Sequence, residues 1–240
     1  MKKLFGGLGL GLLLSSWLVA GDLYMAGGAG YKRPLEAIAK AFEAKSSHQV
    51  KMMFGNMQQV SAQIKESDKI SLFFGDEKFI QKLGIPHEEK VELGEGKLML
   101  VFSKDSKAAL EMASLATPLV KSVGIPDTKS AIYGIAGEEA LRRSGVWEKM
   151  SDKLKVLQTV PQVSAYLVSG DLDAGLINKT DYIGIKEKVG QALEVDSKLY
   201  SPIKIIGVVL KGKEGEAEVR AMLEFLKSPE AREILRAHGL

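Results

Sequence analysis

Leu23-Tyr24-Met25-Ala26, then Gly27-Gly28-Ala29-Gly30, then Pro34 followed by Leu35, Ile38, Ala39 and Phe42: this is the stretch that decides the fold. Its first four residues read as a short apolar strand. The small residues after it permit a tight turn and a close approach of backbone to a ligand. Pro34 suits a first helical position, where its fixed φ and missing N–H do no harm. Leu35, Ile38, Ala39 and Phe42 recur at i, i+3, i+4 and i+7, the stripe of an amphipathic helix. Strand, turn and helix together open a βαβ unit.

The same grammar continues outward. Val50–Phe54 reads as a strand broken by Gly55-Asn56, and Val60 and Ile64 mark a helix behind it. Ile70–Phe74 is a buried strand, with Asp76 capping a helix through Leu83. Further strands are predicted over Lys97–Phe102, Ser122–Ile125, Ala174–Asn178 and Ile203–Leu210. Helices are predicted over Gly137–Arg143, Val160–Val168 and Ala217–Leu226, and from Ser228-Pro229 to Ala237. Continuous apolar strands alternating with helices predict an α/β fold, a mostly parallel sheet with helices on both faces.

The chain has 240 residues, enough for one large domain or two small ones, and its 45% hydrophobic and 26% charged content is that of a packed protein. Lys plus Arg number 33 and Asp plus Glu 30, a net charge of +3. Removing Lys2 and Lys3 with a leader leaves 3 − 2 = +1, which gives no electrostatic footprint for nucleic acid. The absence of cysteine excludes disulfides, thiol catalysis, Cys-zinc sites and lipoprotein acylation. Met1–Lys3 is basic, Leu4–Leu14 is apolar, and Leu18-Val19-Ala20 precedes Gly21 with small residues. This is the plan of a secretory signal peptide over residues 1–20; the alternative is an uncleaved membrane anchor, which the shortness of the apolar run and its glycines disfavour.

In such a sheet ligands bind outside the carboxyl ends of the strands. Five strand-to-helix junctions therefore hold the candidate chemistry: Gly27–Gly30, Gly55–Gln59, Ile132–Gly134, Thr159–Gln162 and Asn178–Asp181. Glycine, amide and hydroxyl groups dominate them, and none places an Asp or Glu at its apex. The first is neither a P-loop nor a dinucleotide fingerprint. Catalytic patterns are poor. His48, His87 and His238 stand in polar, exposed contexts without metal-like partners, and no G-x-S-x-G occurs. Asp171 and Asp173 read as a turn, and Met52 and Met53 as core.

The order of these elements resembles the periplasmic molybdate-binding proteins, receptors of ABC oxyanion importers. The likeness runs from about Leu23 to Leu240. It rests on Met25–Gly30 with Pro34–Phe42, Gly55–Ile64, Phe74–Phe79, Gly137–Leu141 with Gly145-Val146-Trp147, Val168–Gly175 and Phe225–Ala231. The resemblance implies a type II periplasmic-binding-protein fold with ligand held between two lobes. Lobe one would comprise residues 22–98 and 201–240, and lobe two residues 99–200. It implies molybdate or tungstate as ligand, no cofactor, no enzymatic activity, and a monomer in the periplasm that docks on an ABC permease. Carried over by position, the ligand shell would be Gly28, Ala29 and Gly30; Asn56, Met57 and Gln58; Tyr133; Pro161 and Gln162; and Asn178. Lys32, Arg33 and Lys179 lie nearby. This chain departs from the family in lacking its serines at the first two junctions and in placing Asn178 where a tyrosine often stands. Those departures also admit sulfate or another small anion, and a sensory receptor or an enzyme on the same scaffold is the alternative. Molybdate and tungstate carry no proton near neutral pH, so a shell of donors alone suits them. Protonated phosphate needs an acceptor.

Overall fold

The structure is a computed structural model and describes residues 21–240; residues 1–20, read above as a signal peptide, lie outside the described residues. Ten strands form two five-stranded sheets. The first sheet holds β1 (Asp22–Gly28), β2 (Gln49–Gly55), β3 (Leu72–Asp76), β4 (His87–Gly96) and β10 (Ile203–Leu210), in the order β2-β1-β3-β10-β4. The second holds β5 (Leu98–Phe102), β6 (Val123–Pro126), β7 (Leu154–Leu157), β8 (Ala174–Asn178) and β9 (Ala192–Glu194), in the order β7-β6-β8-β5-β9. Both are mixed. β1 runs parallel to β2 and β3, whereas β10 is antiparallel to β3 and β4. β6 runs parallel to β7 and β8, whereas β5 is antiparallel to β8 and β9. In each sheet the reversed strand, β10 or β5, is the one that has just arrived from the other sheet.

The strands that sequence reading left out are β4, β7 and β9. β4 has only alternate residues buried, and β7 and β9 are largely half-exposed, so none carries an apolar run. β3 and β5 are buried at every position. Each fully buried Leu or Phe there contributes about 1.5–3 kcal/mol by leaving water.

Among the described residues nine α-helices pack on the sheets. Those that matter for the cleft are α1 (Lys32–Glu43), α2 (Met57–Glu66), α3 (Glu77–Leu83), α4 (Ile132–Arg143), α6 (Val160–Ser169) and α7 (Lys179–Ile185); α5 (Trp147–Met150) is a single turn, and α8 (Ala217–Lys227) and α9 (Pro229–Ala237) close the chain. α1 buries Leu35, Ile38, Ala39 and Phe42, the predicted stripe. α4 begins five residues before the predicted Gly137. Ile132–Gly134 read as a junction before the helix, but the α-carbons of Gly134 and Gly137 face the Asp127 carbonyl and the Ile125 side chain, with no room for a Cβ. They are there for close helix–strand approach. His48 is also corrected: it is buried and stacked 6.1 Å from Phe42, and its Nδ1 accepts the Gly21 N–H at 3.2 Å.

Candidate functional site

The parallel strands of both sheets end at one place. β1, β2, β6 and β7 deliver the chain to a cavity of about 40 Å³ between the two sheets. A single water needs roughly 10–15 Å³ on this measure, so the space fits a small solute of a few heavy atoms. Its walls are Gly28–Tyr31, Gly55–Met57, Ser130–Tyr133 and Gln158–Val160, with no charged side chain among them.

Each wall is the start of a helix of at least ten residues: α1 through the 3-10 turn Ala29–Tyr31, then α2, α4 and α6. The first N–H groups of a helix have no partner within it and carry its positive dipole end. Gly28 and Ala131 offer no side-chain cap. Asn56 uses Oδ1 to accept the Gln58 N–H at 2.9 Å. Thr159 and Gln162 form a capping box, in which the Gln162 side chain accepts the Thr159 N–H at 3.2 Å. What remains toward the cavity is mainly backbone N–H, supplemented by the hydroxyl of Thr159.

The cavity is closed from both sides. Asn56 Nδ2 donates to Ser130 Oγ at 2.9 Å across the cleft. Ser130 is oriented by Asp127, whose Oδ1 accepts its hydroxyl at 2.7 Å and its N–H at 2.7 Å. The Ser130 hydroxyl is the main reason the Asp127 carboxyl sits below its ordinary pKa. Tyr31 and Tyr133 meet from opposite lobes with ring centroids 6.2 Å apart and planes tilted by 56°. Their hydroxyls are buried and complete no hydrogen bond of normal geometry. Burial holds both phenols above their usual pKa, and they perturb each other and feel Asp76. They are therefore neutral throughout the physiological range. Asp76 caps α3 by accepting the Phe79 N–H at 2.8 Å, and burial raises its carboxyl.

The sequence-selected residues divide on this geometry. Gly28, Ala29, Gly30, Asn56, Met57 and Tyr133 line the cavity. Gln58 does not, and its side chain is exposed on the outer face of α2. Pro161 and Gln162 lie inside α6, past the turn that reaches the cavity, and Gln162 is occupied in the capping box. Asn178 is fully buried off the cavity and saturated by protein partners. Lys32 pairs with Glu36 at 3.7 Å, Arg33 with Asp181 at 3.4 Å and Lys179 with Glu194 at 2.9 Å, all outside the cavity. Tyr31 and Ser130 are cavity residues that sequence reading did not select, and in the fourth junction Thr159 and Val160 line the cavity in place of Pro161 and Gln162. The pattern Thr159-x-x-Gln162 is itself a capping-box signal, and it would have moved the fourth site from Pro161 to Thr159.

Among the described residues no cluster of His, Asp or Glu is arranged to hold a metal ion, and no helix is long and apolar enough to cross a membrane.

A two-lobed α/β architecture with a cleft lined by helix N-termini defines a class, that of substrate-binding proteins. Residues 23–240 match the family of bacterial extracellular solute-binding proteins, and the chain belongs to that family. The molybdate-binding protein of Rhodobacter capsulatus is 31% identical over 235 residues, which cover 96% of this chain and 91% of that protein. The structure of the periplasmic molybdate-binding protein of Azotobacter vinelandii superposes with a TM-score of 0.82 at 25% identity, covering 90% of this chain and 97% of the other. The sulfate-binding protein SubI of Mycobacterium tuberculosis shares the fold at 14% identity, with a TM-score of 0.74 over 91% of this chain and 86% of its own.

Proposed function

We propose that this chain is the receptor of an ABC importer and captures a fully deprotonated tetrahedral oxyanion, molybdate or tungstate, in the cavity between its lobes. One observation carries the reading: four helix N-termini converge on a charge-free space of about 40 Å³. Helix starts present N–H groups and a positive dipole end, which favour an anion without a countercharge. An oxyanion whose oxygens only accept is satisfied by donors alone. Neutral donors also spare the receptor the tight ion pair that would oppose release to a permease. The names of the relatives support the same ligand class.

In this reading residues 1–20 direct export to the periplasm and are removed. One lobe comprises 22–98 with 201–240 and the other 99–200. The protein binds and releases without chemistry. The hydroxyl of Thr159 joins the backbone donors, Ser130 is spent on Asp127 and Asn56, and the phenols of Tyr31 and Tyr133 wall one side of the cavity.

The test is thermal unfolding of the mature protein with molybdate, tungstate, sulfate, phosphate or buffer. A ligand at about 100 times its Kd adds about 2.7 kcal/mol, a shift of a few degrees for a protein this size. Molybdate and tungstate are expected to raise the Tm, and phosphate to leave it unchanged. A rise with sulfate alone would transfer the reading to a smaller anion. No rise with any of the four would remove the oxyanion assignment.

A further inference from the structure

The carbonyl of Gly30 accepts two hydrogen bonds from the opposite lobe. Asn178 Nδ2 donates to it at 2.8 Å and the Thr180 hydroxyl at 2.7 Å. Asn178 Nδ2 also lies 2.6 Å from Thr180 Oγ1, and Asn178 Oδ1 accepts the Asp181 N–H at 3.1 Å. Both side chains are 99% or more buried, so their polar groups answer to these partners and not to water. The same two segments are tied again by Arg33, whose Nε reaches Asp181 Oδ1 at 3.4 Å, while the other oxygen of Asp181 accepts the Ser164 hydroxyl. Gly30 is also the residue at which a Cβ would stand 2.8 Å from Asn178 Nδ2. Its lack of a side chain is thus required by the neighbour across the cleft, without any need for an unusual backbone angle.

We propose that Asn178 and Thr180 are positioning residues: they grip the Gly30 carbonyl when the lobes close and so fix the loop Gly28–Tyr31 against the ligand, which they do not themselves touch. A trans peptide is planar, so holding the Gly30 carbonyl sets the direction of the Tyr31 N–H on the other side of the same peptide. The neighbouring Ala29 and Gly30 N–H groups ride on that loop. The grip exists only while the lobes are together, because Gly30 follows β1 of the first sheet and Asn178 ends β8 of the second. Ligand escape requires opening, and opening breaks these bonds in a place sealed from water, where unmade hydrogen bonds are costly. The effect therefore falls on dissociation more than on association.

This inference rests on the receptor reading for its ligand, so the experiment reads the two separately. Thr180→Val keeps the shape and removes the hydroxyl. Asn178→Asp keeps the oxygen that caps α7 and replaces the amide donor by an oxygen facing a carbonyl. With molybdate and tungstate as probes, stopped-flow fluorescence is expected to show dissociation faster by about tenfold in Thr180→Val and more in Asn178→Asp, with association changed less than threefold. The Tm of the ligand-free Thr180→Val protein is expected to stay within about two degrees of the parent, which separates positioning from general loss of structure. Without ligand, the ¹³C shift of the Gly30 carbonyl is expected to move in both variants and the radius of gyration from X-ray scattering to rise. An unchanged Gly30 shift and unchanged dissociation in both variants would overturn the grip. A changed Gly30 shift in a protein that binds neither probe would overturn the anion reading and leave the grip standing.

Discussion

The cleft has two zones, and they treat polar groups in opposite ways. At the cavity the helix starts at Ala29, Met57, Ile132 and Val160 aim backbone donors at a space no protein acceptor fills. At the seam beside it Asn178, Thr180, Asp181 and Ser164 leave almost nothing unpaired, with Gly30 as the shared acceptor. Unspent donors define where an anion is taken up; spent ones define where the lobes hold each other. Two asparagines at strand-to-helix junctions show the contrast. Asn56 and Asn178 both cap a helix and both reach the other lobe, yet only Asn56 borders the cavity.

The comparison breaks most completely at Gly30. Gly30→Ala places a methyl against the Asn178 amide in a seam with no slack, so closure fails and affinity is expected to fall by about 100-fold or more in calorimetry. The ligand-free Tm should fall far less, since the lobes can part and relieve the clash without unfolding. Asn56→Ala removes a cap, which lowers the Tm of free and bound forms alike, and one cross-cleft bond worth about 1 kcal/mol, so Kd is expected to rise about fivefold. A Kd within twofold of the parent would show that the Asn56–Ser130 bridge contributes nothing to closure.

The third prediction concerns pH. Burial raises the Asp76 carboxyl above its ordinary value, so the folded state holds this proton more tightly than the unfolded chain. The sign follows: Asp76 favours the fold at low pH, and that contribution is lost as pH rises through the raised pKa. Asp76→Asn keeps the oxygen that accepts the Phe79 N–H and never ionises. Its Tm relative to the parent is expected to be highest near neutral pH and to shrink on acidification toward about pH 4. A difference that does not vary with pH would mean that Asp76 is not held against its charge. The smallest effect is reserved for Gln58→Ala, whose exposed side chain should leave Kd within twofold.

How much of this was legible in the residues can be judged element by element. The stripe Leu35–Phe42, the runs in β3 and β5 and the caps Asp76 and Ser228 are local signals, and each of these elements is where the sequence puts it, whereas the helix α7 capped by Asn178 was not read. β7 and β9 were not legible because they are four and three residues long with no buried position, too short to show an apolar run or an alternation. The start of α4 was misjudged because Gly134 and Gly137 serve contacts with residues distant in the fold. At the site, the choice of the first two junctions needed only strand endings and glycines. Choosing Asn178 as a ligand contact followed the order of elements, and its true neighbours, Gly30 and Thr180, include one that is 148 residues away in sequence.

The sequence by itself determined the α/β grammar and the charge-free junctions, because periodicity, capping and turn chemistry act over a few residues; the class of receptor followed from the resemblance carried by the order of its motifs. Only the tertiary structure decided which junctions meet. Whether a donor faces the cavity or a carbonyl on the other lobe depends on the packing of two sheets joined by crossing strands, and no local pattern encodes that distance.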